Sequence, residues 1–524
     1  MITDANPYAF DRFLAWRDAV DYWADDAFLR EVVRRHAGRD APHVEAAAAA
    51  LSRKASGRWR VLSDAIAAPE SRPRLAHWDA FHRRVDRVVR PAEALELERE
   101  VFAEGLFSSR TDRLTRAVLQ FLVYENGEAC VACPLVCTEG LVEALDELAD
   151  RPETLAMREH LKEGRDGRHA IGAQFLTEIQ GGSDVPANRV LARRDGDGYR
   201  IHGTKFFCSV AHADHAAVTA RDEATGALGL FALPLWAPGR EGLERNRLTI
   251  DRLKTKMGTC ELPTAEVTFD GAAAWALGPV ERGLANAVRI VLTTSRLTIG
   301  LASAAYATRA VREARAWAGF REAFGRPIAG FPMVRAQLED LERAVQRATA
   351  GAFEVHRLHR EASAARGTPA VADGAGRRRA HEARTLVMLQ KVVGAEDATR
   401  TIQEAMGILG GNGAVEDFTA IPRLFRDSAV NELWEGPRNV LLDQVHRDIR
   451  KASDWYPPAE LVTRLLGRED ASARELGREV AALVAGPDLS DDVPGALEAC
   501  RRWDAACRAL VHGFQDAAVQ RVST

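Results

Sequence analysis

The chain runs to 524 residues, 46% of them hydrophobic and 28% charged, with a formal net charge of -4. A chain of that length buries the cores of roughly two to four domains, and its charge balance excludes a bulk electrostatic pull toward nucleic acid or an anionic membrane, leaving only a local basic patch as a route to either. The N-terminal stretch MITDANPYAFDRFLAWRD carries charges where a secretory leader would be apolar, and no later run approaches the ~20 apolar residues of a membrane span, so a cytoplasmic protein is expected.

Residues 1–168 are expected to form an N-terminal α-helical domain, because LELEREVFAEGLF and GLVEALDELAD space their apolar residues three and four apart. Between them, CVACPLVC gathers Cys130, Cys133 and Cys137. No fourth thiolate or nearby histidine completes a metal set, so the three read as small apolar residues of a buried segment. The chain's seven cysteines, odd in number and irregularly spaced, predict reduced thiols. From 169 to 280 the period shortens to two and a middle β-domain is expected. In NRVLARRDGDGYRIHGTKFFCSV, residues Asp195 to Gly198 separate two strand-like runs, and HAAVTARD, LGLFALPL and TAEVTFD extend the pattern.

Helical periodicity returns over 281–453, predicting a C-terminal helical bundle, with RGTPAVADGAG (366–376) as a surface loop between two long helices. Pro457 and Pro458 end that unit, and 454–524 reads as a helical tail. Two places in the bundle invite chemistry. In MGILGGNGAVED, Gly410, Gly411 and Gly413 follow a helical run, which excludes a Rossmann turn and leaves either a plain helix end or a place where backbone approaches a ligand phosphate. In NELWEGPRNVL, Glu435 lies between apolar neighbours, as the solvated tip of a turn or as a base in a half-dry pocket.

FLTEIQGGSD (175–184), GTKFFCSV (203–210), the K-x-G and P-T-A-E-V-x-F-D pair (256–270), REAFGRPI (321–328), GILGGNG and LWEG resemble, in order and spacing, the acyl-CoA dehydrogenase family. The extended N-terminal region, the Phe-rich GTKFFCSV and the extra C-terminal helices look most like its AidB, or alkylation-response, branch. The resemblance implies an α+β fold with an N-terminal helical domain, a central β-barrel or sandwich and a C-terminal four-helix bundle, here followed by the tail. It implies FAD as cofactor, an acyl-CoA or related acyl thioester as substrate, electron-transfer flavoprotein or oxygen as electron acceptor, and a homo-oligomer, expected as a tetramer.

By the same resemblance Glu435 is the base that removes the α-proton of the thioester, a task that suits a desolvated carboxylate, and Gly436 lets backbone approach the thioester. Thr177 bonds the flavin pyrimidine, Ser209 contacts the flavin, and Phe207 backs the isoalloxazine where many members have Trp. Ser183 contacts the acyl-CoA. Arg321 and Phe324 reach the FAD of a neighbouring subunit, a pair that suits a pyrophosphate and an adenine, and Gly410 and Gly411 bind the cofactor. Arg296 matches an active-site or CoA-facing arginine, against the plain alternative of a helix-surface charge. For the sheet residues the plain alternative is core and turn structure.

Two positions depart from the family pattern. Gly407 stands where a glutamine touches FAD, and Pro437 replaces the Thr or Ser after E-G, removing a hydroxyl and a backbone donor. Three other readings compete. Asp79 with His82 and Asp443 with His446 suggest a helix-bundle dimetal site, but the inward carboxylates such sites use are not evident. A nucleic-acid-binding or protective role would need clustered positive charge, whereas residues 451–524 hold nine Lys or Arg against twelve Asp or Glu, with only CRRWD and RALVHGF as a small patch. The third is a flavin fold without catalysis, against which the presence of Glu435 speaks.

Overall fold

The structure, a computed structural model, describes residues 9–239, 242–364 and 374–523. Its N-terminal helices start where side chains satisfy the free amides of the first turn. Asp26 accepts from Leu29 N at the head of Ala27–Ala37, and Asp112 from Leu114 N and Thr115 N at the head of Arg113–Tyr124. The helix Ala132–Leu148 is buried almost throughout and carries Cys133 and Cys137. All seven cysteines are free thiols.

One element in this region departs from the helical expectation. Arg74–Trp78 and Arg84–Val89 form an antiparallel hairpin whose turn is closed by Asp79, accepting from Phe81 N and Arg83 N. The run RVDRVV alternates and is rich in Val, a strand pattern too short to stand out between long helices. Asp86 anchors it by accepting from Ile250 N at 3.0 Å.

The β-region is one mixed sheet of seven strands, Gly172–Phe175, Leu191–Asp195, Gly198–Ser209, His215–Asp222, Leu228–Pro234, Leu248–Leu253 and Thr264–Ala276. Thr264–Ala276 pairs antiparallel with Gly198–Ser209, with Leu248–Leu253 and with Leu228–Pro234, while Gly172–Phe175 and Leu191–Asp195 run parallel to His215–Asp222. The Asp-Gly turn expected at 195–198 is a tight hairpin with Asp195 opposite Gly198 and Gly196 at φ +59°. The register slips between Ala265 opposite Cys208 and Val267 opposite Lys205, giving Gly198–Ser209 one extra residue at Phe206 and Phe207. A bulge of this kind re-aims side chains, commonly beside functional sites.

The helical half is built on Thr293–Phe320, packed against Pro332–Ala364, Ala395–Ile408 and Ile421–Leu433. Its extended span Val280–Phe320 is long and apolar enough to cross a membrane, yet 94% of the apolar window lies buried inside the protein, as in a core helix. Two π-helical stretches, Ala287–Leu292 and Gln390–Gly394, interrupt the long helices. Most of the loop expected at 366–376 lies outside the described residues, and Gly374 already begins the helix Gly374–Leu389. The tail forms three helices, Pro458–Leu466, Ala471–Ala485 and Ala496–Ser523, whose Trp503, Leu510 and Phe514 share a core with Leu442, Val445 and Ile449 of Arg438–Ala452.

The two D-x-x-H pairs are engaged otherwise than as a paired metal site. Asp79 holds the hairpin turn and His82 stacks on Trp78, while Asp443 pairs with Arg447 and His446 Nε2 meets the Leu483 carbonyl.

Candidate active site

The helix Ile421–Leu433 ends at Trp434, and the chain then turns through Glu435, Gly436 and Pro437 before Arg438 starts the next helix. Glu435 has φ +58°, the left-handed region that a residue with a side chain enters only when its surroundings fix it. Gly436 follows at φ +103°, where a Cβ would lie 2.9 Å from Leu441 Cδ2, so the turn requires glycine there.

Two cations from the core of the bundle hold this turn. Arg296 Nε donates to the Glu435 carbonyl at 2.8 Å. Lys391, fully buried in the π-helical stretch Gln390–Gly394, donates to the carbonyls of Glu432 and Gly436 at 2.9 and 2.7 Å. Trp434 Nε1 bonds Asn431 Oδ1 at 3.0 Å, and Asn431 reaches Ser303 of the core helix.

The Glu435 side chain is left with something to do. Its Oε2 is shielded from water and has no hydrogen-bond partner among the described residues. Burial pushes its pKa up, while the charges of Arg296 and Lys391 restrain the rise. Both cations feel the same dry surroundings: Arg296 is pushed down to about 10 and Lys391 to about 8. A half-buried glutamate whose Oε2 is shielded and unused, with a raised pKa and two cations to steady it, is equipped to take a proton.

The sheet meets this turn through the K-x-G loop. A Cβ on Gly258 would collide with the Arg426 carbonyl, and Thr259 N donates to Asp427 Oδ1 at 2.7 Å, so the loop lies flat on the helix that leads to Glu435. Lys256 donates to Thr264 Oγ1 at 2.9 Å, and Thr264 shares a hydrogen bond with Ser209 at 3.1 Å. Phe207 sits two residues before Ser209 on the same strand, 50% exposed, with Lys254 Nζ 4.5 Å from its ring centroid. Thr177 joins them through its carbonyl, which accepts from Phe206 N at 2.9 Å. A Cβ on Gly182 would collide with Thr177 Oγ1, so the glycine keeps that hydroxyl open. An exposed aromatic face with two hydroxyls beside it fits a planar heteroaromatic cofactor.

Ser183 is exposed on the loop after Thr177. Arg321 and Phe324 lie on a surface hairpin, Glu322–Ala323 against Arg326–Pro327, with Phe324 97% exposed at φ +52°. Gly410, at φ +60°, and Gly411 are exposed at the end of Ala395–Ile408. Among the described residues no hydrogen bond or ion pair ties these four to the Glu435 turn within one chain. Gly407 faces open space. Pro437 is the N-cap of Arg438–Ala452 and gives it no side-chain hydrogen bond.

Sequence reasoning missed Lys391, Lys256 and Asn431. A lysine inside the apolar run LVMLQKVVG was the available signal for the first, since lysine is buried only when its ammonium has partners.

Profiles of known families match three parts of the chain: the acyl-CoA dehydrogenase C-terminal domain over residues 281–449, the acyl-CoA dehydrogenase middle domain over 173–272, and the N-terminal domain of the adaptive response protein AidB over 15–160. The Escherichia coli (strain K12) protein AidB is 29% identical over 493 residues, covering 88% of this chain and 86% of its own length. Among solved structures, Caenorhabditis elegans ACDH-11 in complex with C11-CoA superposes with a TM-score of 0.80 at 24% identity, over 95% of this chain and 90% of that one. The Bacillus anthracis acyl-CoA dehydrogenase complexed with FAD gives 0.61 at 19%, over 82% of each. These two likenesses are of fold.

Proposed function

Since the chain belongs to the acyl-CoA dehydrogenase family, we propose that it is an FAD-dependent oxidoreductase that removes the α-proton and a β-hydride from an acyl thioester, with Glu435 as the base. The observation that carries the reading is the Glu435 carboxylate, held in a strained turn with Oε2 dry and unpartnered. The C11-CoA of the worm protein and the FAD of the Bacillus protein favour an acyl-CoA substrate and a flavin.

FAD, when bound, supplies the acceptor for the hydride leaving the β-carbon. Thr177, Ser209 and Phe207 would hold its ring system from the sheet side. Arg321, Phe324, Gly410 and Gly411 would serve the flavin of a second subunit, which makes a homo-oligomer, by family analogy a tetramer, the working form. Glu435 takes the α-proton on Oε2, and its raised pKa matches it to an α-proton acidified by a thioester. The charges of Arg296 and Lys391 oppose the rise in its pKa that burial causes. Ser183 is the proposed contact to the acyl-CoA, and Gly436, by the family resemblance, lets backbone approach the thioester. The final electron acceptor would be, by the same family analogy, an electron-transfer flavoprotein or oxygen.

The test is spectroscopic. Purified protein should carry or take up FAD and bleach anaerobically when members of an acyl-CoA panel are added. Protein that stays colourless with excess FAD, or a flavin that no thioester reduces, overturns the assignment.

A further inference from the structure

A non-glycine residue at φ +58° stays there only if its neighbours over-determine it. Arg296 and Lys391 grip the Glu435 turn from the core, and a second grip comes from its C-terminal side. Arg438, the first residue of the helix after the turn, holds both oxygens of Glu396 with Nη1 at 2.5 and 2.6 Å and pairs through Nη2 with Asp504 of the tail. Arg508 donates to Glu396 Oε2 at 2.5 Å and to Asp397 Oδ1 at 2.8 Å, and His512 Nε2 lies 2.6 Å from Asp397 Oδ2. Asp504, Arg508 and His512 are spaced by four, one stripe of the helix Ala496–Ser523 turned onto the bundle. Trp503 adds an uncharged anchor, Nε1 to the Leu442 carbonyl at 2.9 Å.

Of the basic residues that made a nucleic-acid patch conceivable, Arg502, Arg508 and His512 have acidic partners within the chain, while Arg501 stays exposed beside Glu498. Arg508 and His512 face Glu396 and Asp397, and Arg502 pairs with Glu479 at 2.7 Å. Single half-exposed ion pairs contribute little, but linked pairs around one shared carboxylate hold geometry better. Glu396 is that shared group, and its charge also reaches Lys391, so the tail and the core grip act on the same turn.

We propose that the C-terminal helix is a positioning element for the Glu435 turn, acting through the chain His512 and Arg508, Asp397 and Glu396, Asp504, and Arg438. Arg438 is the positioning residue: it sets where the helix after the turn begins, and hence where Gly436 and Glu435 lie. The role in catalysis rests on Glu435 being the base; the mechanical role does not.

Truncating the tail would expose Trp503, Leu510 and Phe514, so the test uses single replacements. Arg508→Met removes the tail's hold on Glu396 and one of its two contacts to Asp397 without touching the turn, and Arg438→Met removes the grip itself. In the flavin-free chain, hydrogen-deuterium exchange over residues 431–441 should speed up roughly tenfold in Arg438→Met and severalfold in Arg508→Met, with Arg→Lys at either site restoring most of the protection. In the flavin-loaded chain, single-turnover reduction by an acyl-CoA should slow roughly tenfold while thioester affinity holds within about twofold, the mark of a misplaced base. Unchanged exchange over 431–441 in both Met variants overturns the positioning role. If wild-type flavin is never reduced, the base assignment fails instead, and the exchange comparison still decides whether the tail holds the turn.

Discussion

Replacing Lys391 by Met, similar in length but without charge or donor, tests how the turn holds its base. The variant loses two charge-assisted hydrogen bonds to the carbonyls of Glu432 and Gly436, each contributing roughly 1.5–3 kcal/mol. Burial works the other way, because it pushes Lys391 from 10.5 down to about 8, a cost of about 3 kcal/mol at neutral pH. The net loss of stability at pH 7 should then be about 0–3 kcal/mol. The sign of its pH dependence is fixed. A lysine whose pKa falls on folding leaves the unfolded chain holding more protons between about 8 and 10.5, so wild-type stability gains across that window and the Met variant lacks the gain. The gap between them should widen from pH 7 to pH 10 in chemical denaturation. Catalysis should respond in the other limb. Removing a cation that holds Glu435 down should raise the base's pKa further, moving the acid limb of single-turnover flavin reduction upward. An acid limb that stays put, or a stability gap that does not change with pH, would refute the cradle.

Gly436→Ala should lower stability by about 1–3 kcal/mol through its positive φ and the contact with Leu441, and should slow flavin reduction; a melting temperature equal to wild type contradicts the close approach. Arg321→Ala, exposed in a single chain, should leave the circular dichroism spectrum unchanged while lowering FAD occupancy, and equal flavin content would count against a site shared between subunits. Duplex DNA should bind weakly at physiological salt, because residues 451–524 hold nine Lys or Arg against twelve Asp or Glu; submicromolar affinity with a steep salt slope in a filter or anisotropy titration would show otherwise.

The order of helical and strand regions was legible because the periodicity of apolar residues changes at their edges, and HAAVTARD and LGLFALPL fall within or directly on strands of the sheet. The hairpin at 74–89 was not, since six residues of alternation carry little weight beside neighbouring helices. LWEG pointed to Glu435, but nothing local could say that its oxygen would lie dry or that its backbone would be left-handed. Those properties come from Arg296, Lys391 and Arg438, brought in by three other helical segments. Long-range ion pairs leave no periodic trace, which is why Arg502 of CRRWD and Arg508 of RALVHGF looked like part of a surface patch and prove to pair with Glu479 and with Glu396 and Asp397, while Arg501 stays exposed.

The base role of Glu435 is tested most directly by single-turnover flavin reduction in Glu435→Gln, measured with flavin content on the same preparation. Glutamine keeps the shape of the side chain but cannot accept the α-proton. General-base catalysis contributes roughly 10²- to 10⁴-fold, so the variant should retain FAD near the wild-type level and bind the thioester, yet reduce its flavin at least a hundredfold more slowly, by about that lower bound or more. Full-rate reduction with normal flavin content would contradict the account and move the search to Glu432, the neighbouring carboxylate in the last turn of the preceding helix.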